Sequence, residues 1–245
     1  MLLAKKRALV TGASRGIGAA IAKAFAAEGA DVAITYEKSA DRAAEVVGAI
    51  EALGRRAVAI QANSADADEV RASVDKAAEY LGGLDILVNN AGIFLYAPVA
   101  SVSLKDIDAV LDVNVRAPVL ASQAAIPHLG QGGRIINIGS WFGEQVQWPN
   151  LSVYAMSKSA LISFTKGLAR ELGPQGITVN LVQPGAIDTD MNPSGGPLAE
   201  TIRQPIALGK YGSGEDIAQA AAFLASEKAR YISGTSLTVD GGMIA

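Results

Sequence analysis

The sequence contains no cysteine and only one histidine, His128. The lack of cysteine excludes disulfides, thiol nucleophiles and zinc–thiolate sites, and it is compatible with a reducing compartment. No group of histidine and carboxylate residues has the spacing of metal ligands, so we predict no metal. His128 is expected at the end of a helix, where an imidazolium would interact favourably with the helix dipole.

Long apolar runs and an excess of basic residues are also missing. Residues 1–7 have neither the apolar core nor the cleavage site of a signal peptide, and no stretch could span a membrane. The formal net charge is −3 and the basic residues are scattered, so we expect neither a nucleic-acid partner nor a membrane partner. No repeat or linker divides the chain. We therefore predict a cytoplasmic protein with one domain over residues 1–245.

What is present is an alternation of short apolar runs with longer, alanine-rich segments of helical period. This alternation is typical of strand–helix–strand units, whose parallel sheet is buried on both faces. We predict an α/β fold of the Rossmann type, a doubly wound seven-stranded parallel sheet with helices on both faces, in three layers. The predicted strands cover residues 8–11, 32–36, 57–61, 86–89, 134–138, 178–182 and 236–239. The predicted helices cover residues 16–28, 40–53, 66–81, 104–128, 153–171 and 216–226. Residues 184–205 are expected to be irregular and to form a lid.

A glycine-rich loop follows the first predicted strand and opens the first helix, with the sequence Thr-Gly-Ala-Ser-Arg-Gly-Ile-Gly from residue 11 to residue 18. Gly12 permits a tight turn, Gly16 lets a ligand approach the backbone, and Gly18 allows the helix to pack closely on the strand. The start of the helix offers free N–H groups to a pyrophosphate. The loop therefore predicts a dinucleotide-binding site.

This octet resembles the signature of the short-chain dehydrogenase/reductase family. The likeness continues in the family's order through Asn89-Asn90-Ala91-Gly92, Asn114, Ser140, Tyr154-x-x-x-Lys158, Pro184-Gly185 and Asp240-Gly241-Gly242. The resemblance implies an NAD(P)H-dependent oxidoreductase that assembles as a homotetramer. It also implies that Asn114, Ser140, Tyr154 and Lys158 are the catalytic residues.

The residue types suit this chemistry. Tyr154 and Lys158 are one helical turn apart and share a face, and a nearby ammonium lowers the pKa of a phenol. Tyr154 is therefore expected to donate a proton, and the resemblance implies that Lys158 also holds the nicotinamide ribose. Ser140 ends the fifth strand, where its hydroxyl could donate to a substrate carbonyl. The resemblance implies that Asn114 distorts its helix and holds a water that links Lys158 to solvent.

The second strand ends at Tyr36, where a site for NAD(H) usually has a carboxylate. Arg15, Lys38 and Ser39 suit a 2′-phosphate, so the sequence favours NADP(H). NAD(H) is the less favoured choice, since Glu37 follows directly. Asn63 stands where the family more often has an aspartate that contacts adenine. The predicted cofactor-binding residues are Gly12, Ser14, Arg15, Gly16, Ile17, Gly18, Tyr36, Lys38, Ser39, Asn63, Ser64, Asn90, Ala91, Gly92, Tyr154, Lys158, Pro184, Gly185, Ile187 and Thr189.

Several aromatic or apolar residues are expected to line the substrate cleft, which suits a small apolar or aromatic ketone. These residues are Phe94, Tyr96, Trp141, Phe142, Trp148 and Met191. The preferred hypothesis is reversible reduction of such a ketone to an alcohol, as in carbonyl and naphthol reductases. One alternative is a 3-oxoacyl-carrier-protein reductase, although Ile-Phe-Leu-Tyr at residues 93–96 replaces their usual Thr-Arg-Asp stretch. An alternative of another class is a catalytically silent NADPH sensor or scaffold.

Overall fold

The structure, a computed structural model, describes residues 1–245 and contains a seven-stranded parallel sheet in the order β3-β2-β1-β4-β5-β6-β7. The strands are β1 (Arg7–Val10), β2 (Asp31–Tyr36), β3 (Ala57–Gln61), β4 (Leu84–Asn89), β5 (Leu129–Ile138), β6 (Thr178–Pro184) and β7 (Ser236–Val239). The predicted fold class and number of strands are confirmed. The strand order reverses between β1 and β4, and this is where doubly wound sheets form a crevice for ligands.

Helices cover both faces of the sheet. They are α1 (Gly16–Ala27), α2 (Ala40–Glu51), α3 (Ala67–Leu81), α4 (Leu104–Leu111), α5 (Ala117–Ala125), α6 (Ser152–Leu172), α7 (Ala199–Arg203) and α8 (Gly214–Ala225). Alternate side chains of the strands enter separate cores, as in β1, where Ala8 and Val10 contact the core under α1, α2 and α8. Leu9 faces the second core, under α3, α5 and α6. The three predicted layers follow from this alternation.

The predicted continuous helix over residues 104–128 is wrong. A π-helical segment, Asp112–Arg116, separates α4 from α5, and a 3₁₀ turn, Ile126–His128, precedes β5, which begins at Leu129 rather than residue 134. Pro118 explains the first interruption, because it has no N–H for the carbonyl of Asn114, four residues earlier. Pro127 has the same effect at the end of α5.

Two further expectations need adjustment. The segment after β6 is not wholly irregular, since α7 forms a short helix within it. His128 does end a helical segment, but its ring nitrogen Nε2 lies 2.8 Å from Asp75 Oδ1 on α3. No helix combines the length and the apolar character that a membrane span requires.

Candidate active site

The glycine-rich loop forms the floor of a cleft of about 970 Å³ along the carboxyl ends of the strands. Gly12 has φ +62°, and a Cβ there would lie 2.8 Å from the Cα of Ala91. A Cβ on Gly18 would lie 2.4 Å from Asn90 Nδ2 and 2.9 Å from the Cα of Ala13. Both positions therefore require glycine, the first for its turn and the second for its packing.

The sequence after β4 clamps this loop. Thr11 Oγ1 accepts hydrogen bonds from the backbone N–H groups of Asn90 and Ala91, at 3.0 and 3.1 Å. Asn90 Nδ2 donates to the carbonyls of Thr11 and Gly12, at 2.9 and 3.1 Å. The side chain of Asn90 thus binds the loop, and its predicted contact with a cofactor would have to come from its backbone.

The N-terminus of α1 has the chemistry that a pyrophosphate needs. Arg15 is the N-cap residue and its side chain makes no capping hydrogen bond. By contrast, Asp66 caps α3, and Ser213 caps α8 in a capping box. The uncapped N–H groups of α1 open onto the cleft, where Gly16 lies in its wall. These residues therefore fit a dinucleotide phosphate.

At the adenosine end of the cleft, the carboxylate next to Tyr36 is already paired. Lys38 Nζ lies 2.9 Å from Glu37 Oε1. Asn63 Oδ1 accepts from the backbone N–H of Ala65, at 3.0 Å, so its amide N–H₂ is the group left for an adenine edge. The pairing of Glu37 weakens the main argument for NAD(H).

The predicted catalytic residues meet at the other end of the cleft. Ser140 follows β5 and Tyr154 and Lys158 lie on α6, and all three side chains are buried. Lys158 Nζ donates to the carbonyl of Ile138, at 3.2 Å, and lies 5.9 Å from the centre of the Tyr154 ring. Ser140 Oγ accepts from the N–H of Phe142, at 3.3 Å, and Ser140 and Tyr154 line the same part of the cleft.

Burial controls the charge of both titratable groups. It raises the pKa of Tyr154 to about 12, and the neighbouring Ser140 hydroxyl opposes this shift. It also lowers the pKa of Lys158 to about 8. The expectation that Lys158 brings the pKa of Tyr154 towards neutrality is therefore not met. The reason is that burial disfavours the charged form of each group, and it is the largest cause of both shifts.

Asn114 lies behind the cleft, in the middle of the π-helical segment. Its Oδ1 accepts from Ile93 N at 2.9 Å, and its Nδ2 donates to Ile93 O at 2.9 Å and to Ser157 Oγ at 3.0 Å. A Cβ on Gly92 would lie 3.4 Å from Asn114 Oδ1 and 3.3 Å from Lys158 Nζ. Asn114 Oδ1 and Lys158 Nζ therefore both lie next to Gly92, although they share no hydrogen-bond partner.

An aromatic wall, formed by Phe94, Trp141, Phe142 and Trp148, surrounds Tyr154. The ring centroid of Phe94 lies 4.9 Å from that of Tyr154, and the ring centroid of Phe142 lies 6.0 Å from it. Trp141 stacks on Phe142 at 4.0 Å and is almost fully buried in a small core with Ala186, Ile206 and Met243. Trp141 therefore supports the wall more than it faces the open cleft.

Comparison with known proteins agrees with the geometry of the site. A family model described as Enoyl-(Acyl carrier protein) reductase matches residues 12–244. The chain belongs to the short-chain dehydrogenase/reductase family. This confirms the resemblance that the sequence motifs indicated.

Similar members of this family include a structure and two characterised chains. A short-chain dehydrogenase from Burkholderia cenocepacia J2315, solved in complex with NADP, is 60% identical, with a TM-score of 0.99 over 100% of both chains. The 3-oxoacyl-[acyl-carrier-protein] reductase of Staphylococcus aureus is 44% identical over 97% of this chain and 98% of its own. The cyclic-di-GMP-binding biofilm dispersal mediator protein of Escherichia coli K12 is 42% identical over 96% of each.

The structure places the predicted site residues of this short-chain dehydrogenase/reductase around one cleft, except for Asn114. All the other predicted cofactor, catalytic and substrate residues line it. Sequence reasoning missed Arg42 and Asp190, whose side chains meet at the adenosine end, with Arg42 Nη1 2.5 Å from Asp190 Oδ2. It also missed Gln183, which is buried and donates to Glu144 Oε1 at 2.7 Å. No three histidine, aspartate or glutamate side chains gather in a way that could hold a metal ion.

Proposed function

We propose that this protein reduces the carbonyl of a small apolar or aromatic ketone to an alcohol, reversibly and with NADPH as the favoured cofactor. The observation that carries the proposal is that Ser140 and Tyr154 are both buried and line the same end of the cleft, where the rings of Phe94 and Phe142 lie 4.9 and 6.0 Å from the Tyr154 ring. Two hydroxyls there could reach one carbonyl oxygen, while apolar rings exclude water. This arrangement suits a neutral, apolar carbonyl compound.

The chain would hold the cofactor along the floor of the cleft. The uncapped N-terminus of α1 would bind the pyrophosphate, Arg15 and Lys38 would lie near a 2′-phosphate, and Lys158 would bind the nicotinamide ribose. When bound, the reduced nicotinamide supplies a hydride to the carbonyl carbon. The Burkholderia relative solved with NADP supports this choice of cofactor.

The protein's own groups would supply the proton. A pKa of about 12 keeps the Tyr154 hydroxyl protonated at neutral pH, which is the form that donates in reduction. Its proton passes to the carbonyl oxygen as the carbonyl carbon gains the hydride, while Ser140 donates a hydrogen bond to the same oxygen. Lys158, with a pKa of about 8, is mainly cationic at pH 7 and stabilises the phenolate left on Tyr154.

The test is the initial oxidation rate of NADPH and of NADH, measured separately with aryl ketones, diketones and a 3-oxoacyl thioester. We expect NADPH and an aryl ketone to give the fastest turnover. Tyr154→Phe should keep NADPH binding and lose about 10²- to 10⁴-fold in rate, the usual contribution of a general acid. An unchanged rate in this variant would contradict the assigned proton donor.

Two other functions have specific support. The Staphylococcus relative favours 3-oxoacyl-carrier-protein reduction, and turnover of the 3-oxoacyl thioester ahead of every ketone would select it. The other alternative is a nucleotide-binding protein without catalysis, and the name of the Escherichia relative, which states cyclic-di-GMP binding, supports its nucleotide-binding part. In that case the chain would bind NADPH and turn over none of the substrates.

We also propose that residues 1–245 form one domain and assemble as a homotetramer. Exposed apolar side chains on three neighbouring helices support assembly: Leu104 on α4, Val119 on α5 and Met156 on α6. Light scattering at micromolar concentration should give the mass of four chains, and the mass of one chain would contradict this.

A further inference from the structure

Asp190 joins three distant parts of the chain at the adenosine end of the cleft. Its Oδ2 lies 2.5 Å from Arg42 Nη1 and 3.4 Å from Arg15 Nη1. Arg15 precedes α1, Arg42 lies in the first turn of α2, and Asp190 lies in the segment after β6. A single carboxylate thus contacts the start of α1 and the first turn of α2, at the cofactor end of the molecule.

The two arginines have no other acidic partner. Glu37, which lines the same end of the cleft, is paired with Lys38 instead. The side chains of Asp190, Arg15 and Arg42 are 54%, 60% and 51% exposed, so a solute can reach them. Ion pairs with this much exposure are weak and are readily exchanged for a better anion.

Arg42 is placed so that it could bind the same anion as Arg15, since both contact Asp190 Oδ2. Arg15, Ser39 and Asp190 all line the cleft, and Arg42 follows Ser39 by three positions in the same helical turn. Its guanidinium reaches the cleft edge, because it touches Asp190 there. A phosphate has more charge and more acceptor oxygens than a carboxylate, and guanidinium groups bind it in a bidentate way.

We propose that Asp190 and Arg42 determine cofactor specificity, because Asp190 occupies the arginines that would bind the 2′-phosphate of NADP(H). This rests on the proposed function. Binding of the 2′-phosphate replaces the carboxylate and keeps both arginines paired, so that Asp190 loses its ion pairs to Arg15 and Arg42. NAD(H) lacks this phosphate, so it leaves Asp190 in place.

The test is calorimetric titration of the whole protein with 2′,5′-ADP and, separately, with 5′-ADP, which lacks the 2′-phosphate. Asp190→Asn should bind 2′,5′-ADP about two- to fivefold more tightly, as expected on removing the competitor in an exposed ion pair, and 5′-ADP unchanged. Asp188→Asn is the matched control. It changes the charge equally two residues away, but Asp188 Oδ1 accepts from Ser194 N and makes no ion pair with either arginine.

Arg42→Gln tests the other side of the exchange. It should weaken 2′,5′-ADP binding about tenfold, as for loss of one charge-assisted contact, and leave 5′-ADP unchanged. The gain from Asp190→Asn should shrink in the Arg42→Gln background, since the two residues share one interaction. Melting curves check that each variant folds.

The outcomes separate the two proposals. Equal effects of Asp190→Asn and Asp188→Asn on 2′,5′-ADP, or no effect of Arg42→Gln, would overturn the specificity proposal while the unmodified protein still binds 2′,5′-ADP. Absence of binding of both nucleotides to the unmodified protein would overturn the proposed function itself, and this inference with it.

Discussion

The floor and the rim of the cleft are built in different ways. The floor is the glycine loop with residues 89–92, and the rim is the segment of residues 185–203. In the floor, side-chain hydrogen bonds, such as those from Asn90 Nδ2 to the carbonyls of Thr11 and Gly12 at 2.9 and 3.1 Å, join the residues after β4 to the glycine loop. In the rim, residues from Asp190 to Arg203 carry exposed ion pairs, one from Asp190 to the distant Arg42 and one from Arg203 to Glu200 within α7.

This difference has consequences for stability and for binding. When a buried hydrogen bond breaks, it leaves a polar group without a partner, which costs free energy. Such bonds therefore hold the backbone in one geometry. Exposed ion pairs contribute little and exchange with solutes. The floor is therefore suited to a fixed cradle, and the rim to a segment that responds to ligands.

The largest expected effect comes from replacing one glycine by alanine in the floor and another in the rim. In Gly18→Ala the new Cβ would meet Asn90 Nδ2 at 2.4 Å and a backbone atom of Ala13 at 2.9 Å. We expect the free energy of unfolding to fall by about 3 kcal/mol, although alanine is the better helix former by about 1 kcal/mol. Urea unfolding followed by circular dichroism measures this change.

The control for that exchange lies in the rim. A Cβ on Gly195 would meet nothing within 4 Å, so Gly195→Ala should change stability by less than about 0.5 kcal/mol. Equal losses in the two variants would show that the floor is no more tightly packed than the rim.

The second test removes one side chain from the clamp. Asn90→Ala leaves the carbonyls of Thr11 and Gly12 without their donor, and we expect a loss of about 2 kcal/mol, about 1 kcal/mol for each bond. Asn192→Ala is the matched change in the rim, where the contacts of Asn192 to Thr189 run through its backbone. Thermal melting of both variants measures the loss of stability. A larger loss for Asn192→Ala than for Asn90→Ala would contradict the comparison of floor and rim.

Most of the floor could be predicted from the sequence because its chemistry is local. Glycines at the turn and at the helix contact are needed for backbone reasons, and they stand within seven residues of one another. The parallel strands could also be predicted, because both of their faces are buried and they therefore appear as short apolar runs. The interruption at Asn114 also had a local signal, Pro118, although the helical period of residues 104–128 concealed it.

The rest depends on contacts between distant residues. Asp190 and Arg42 are 148 positions apart, and nothing near either residue indicates the other. The pKa of Tyr154 is another example, because its burial depends on the aromatic wall formed by Phe94 and Phe142. Spacing along α6 showed that Lys158 is near, but it could not show that desolvation is the larger effect.

A third test uses pH to compare a buried group of the site with the rim. Lys158, with a pKa of about 8, loses its proton as pH rises through 8, while Tyr154 stays protonated to about 12. Hydrogen bonds and the arginines lower the pKa of Asp188 and Asp190, so the rim keeps its charge over this range. We expect kcat/KM for reduction to fall about tenfold between a plateau near pH 7 and pH 9.

The control for the pH profile is Lys166→Met, which removes an exposed amine from the same helix. Its profile should match that of the unmodified protein. A decline that begins only above pH 10 would show that the proton of Lys158 is not needed, or that burial affects its pKa less than the structure indicates.

The smallest expected effect concerns the rim alone. Arg203 donates to Ser194 O at 3.2 Å, pairs with Glu200 at 2.6 Å and lies 5.9 Å from the ring centre of Tyr211. Arg203→Met removes these exposed contacts, so global stability should change by less than about 1 kcal/mol. Local opening should still increase, because the bond from Arg203 to Ser194 O ties α7 to the exposed turn that precedes it.

Limited proteolysis with chymotrypsin detects that opening, since Met191 and Leu198 are exposed in the rim. We expect cleavage within residues 185–203 to become up to about fivefold faster in Arg203→Met, the factor that corresponds to about 1 kcal/mol. Arg170→Met, at the exposed end of α6, should leave the cleavage rate unchanged. If Arg203→Met instead lowers the melting temperature as much as Asn90→Ala does, the rim is part of the same cooperative unit as the floor, and a ligand could not release it separately.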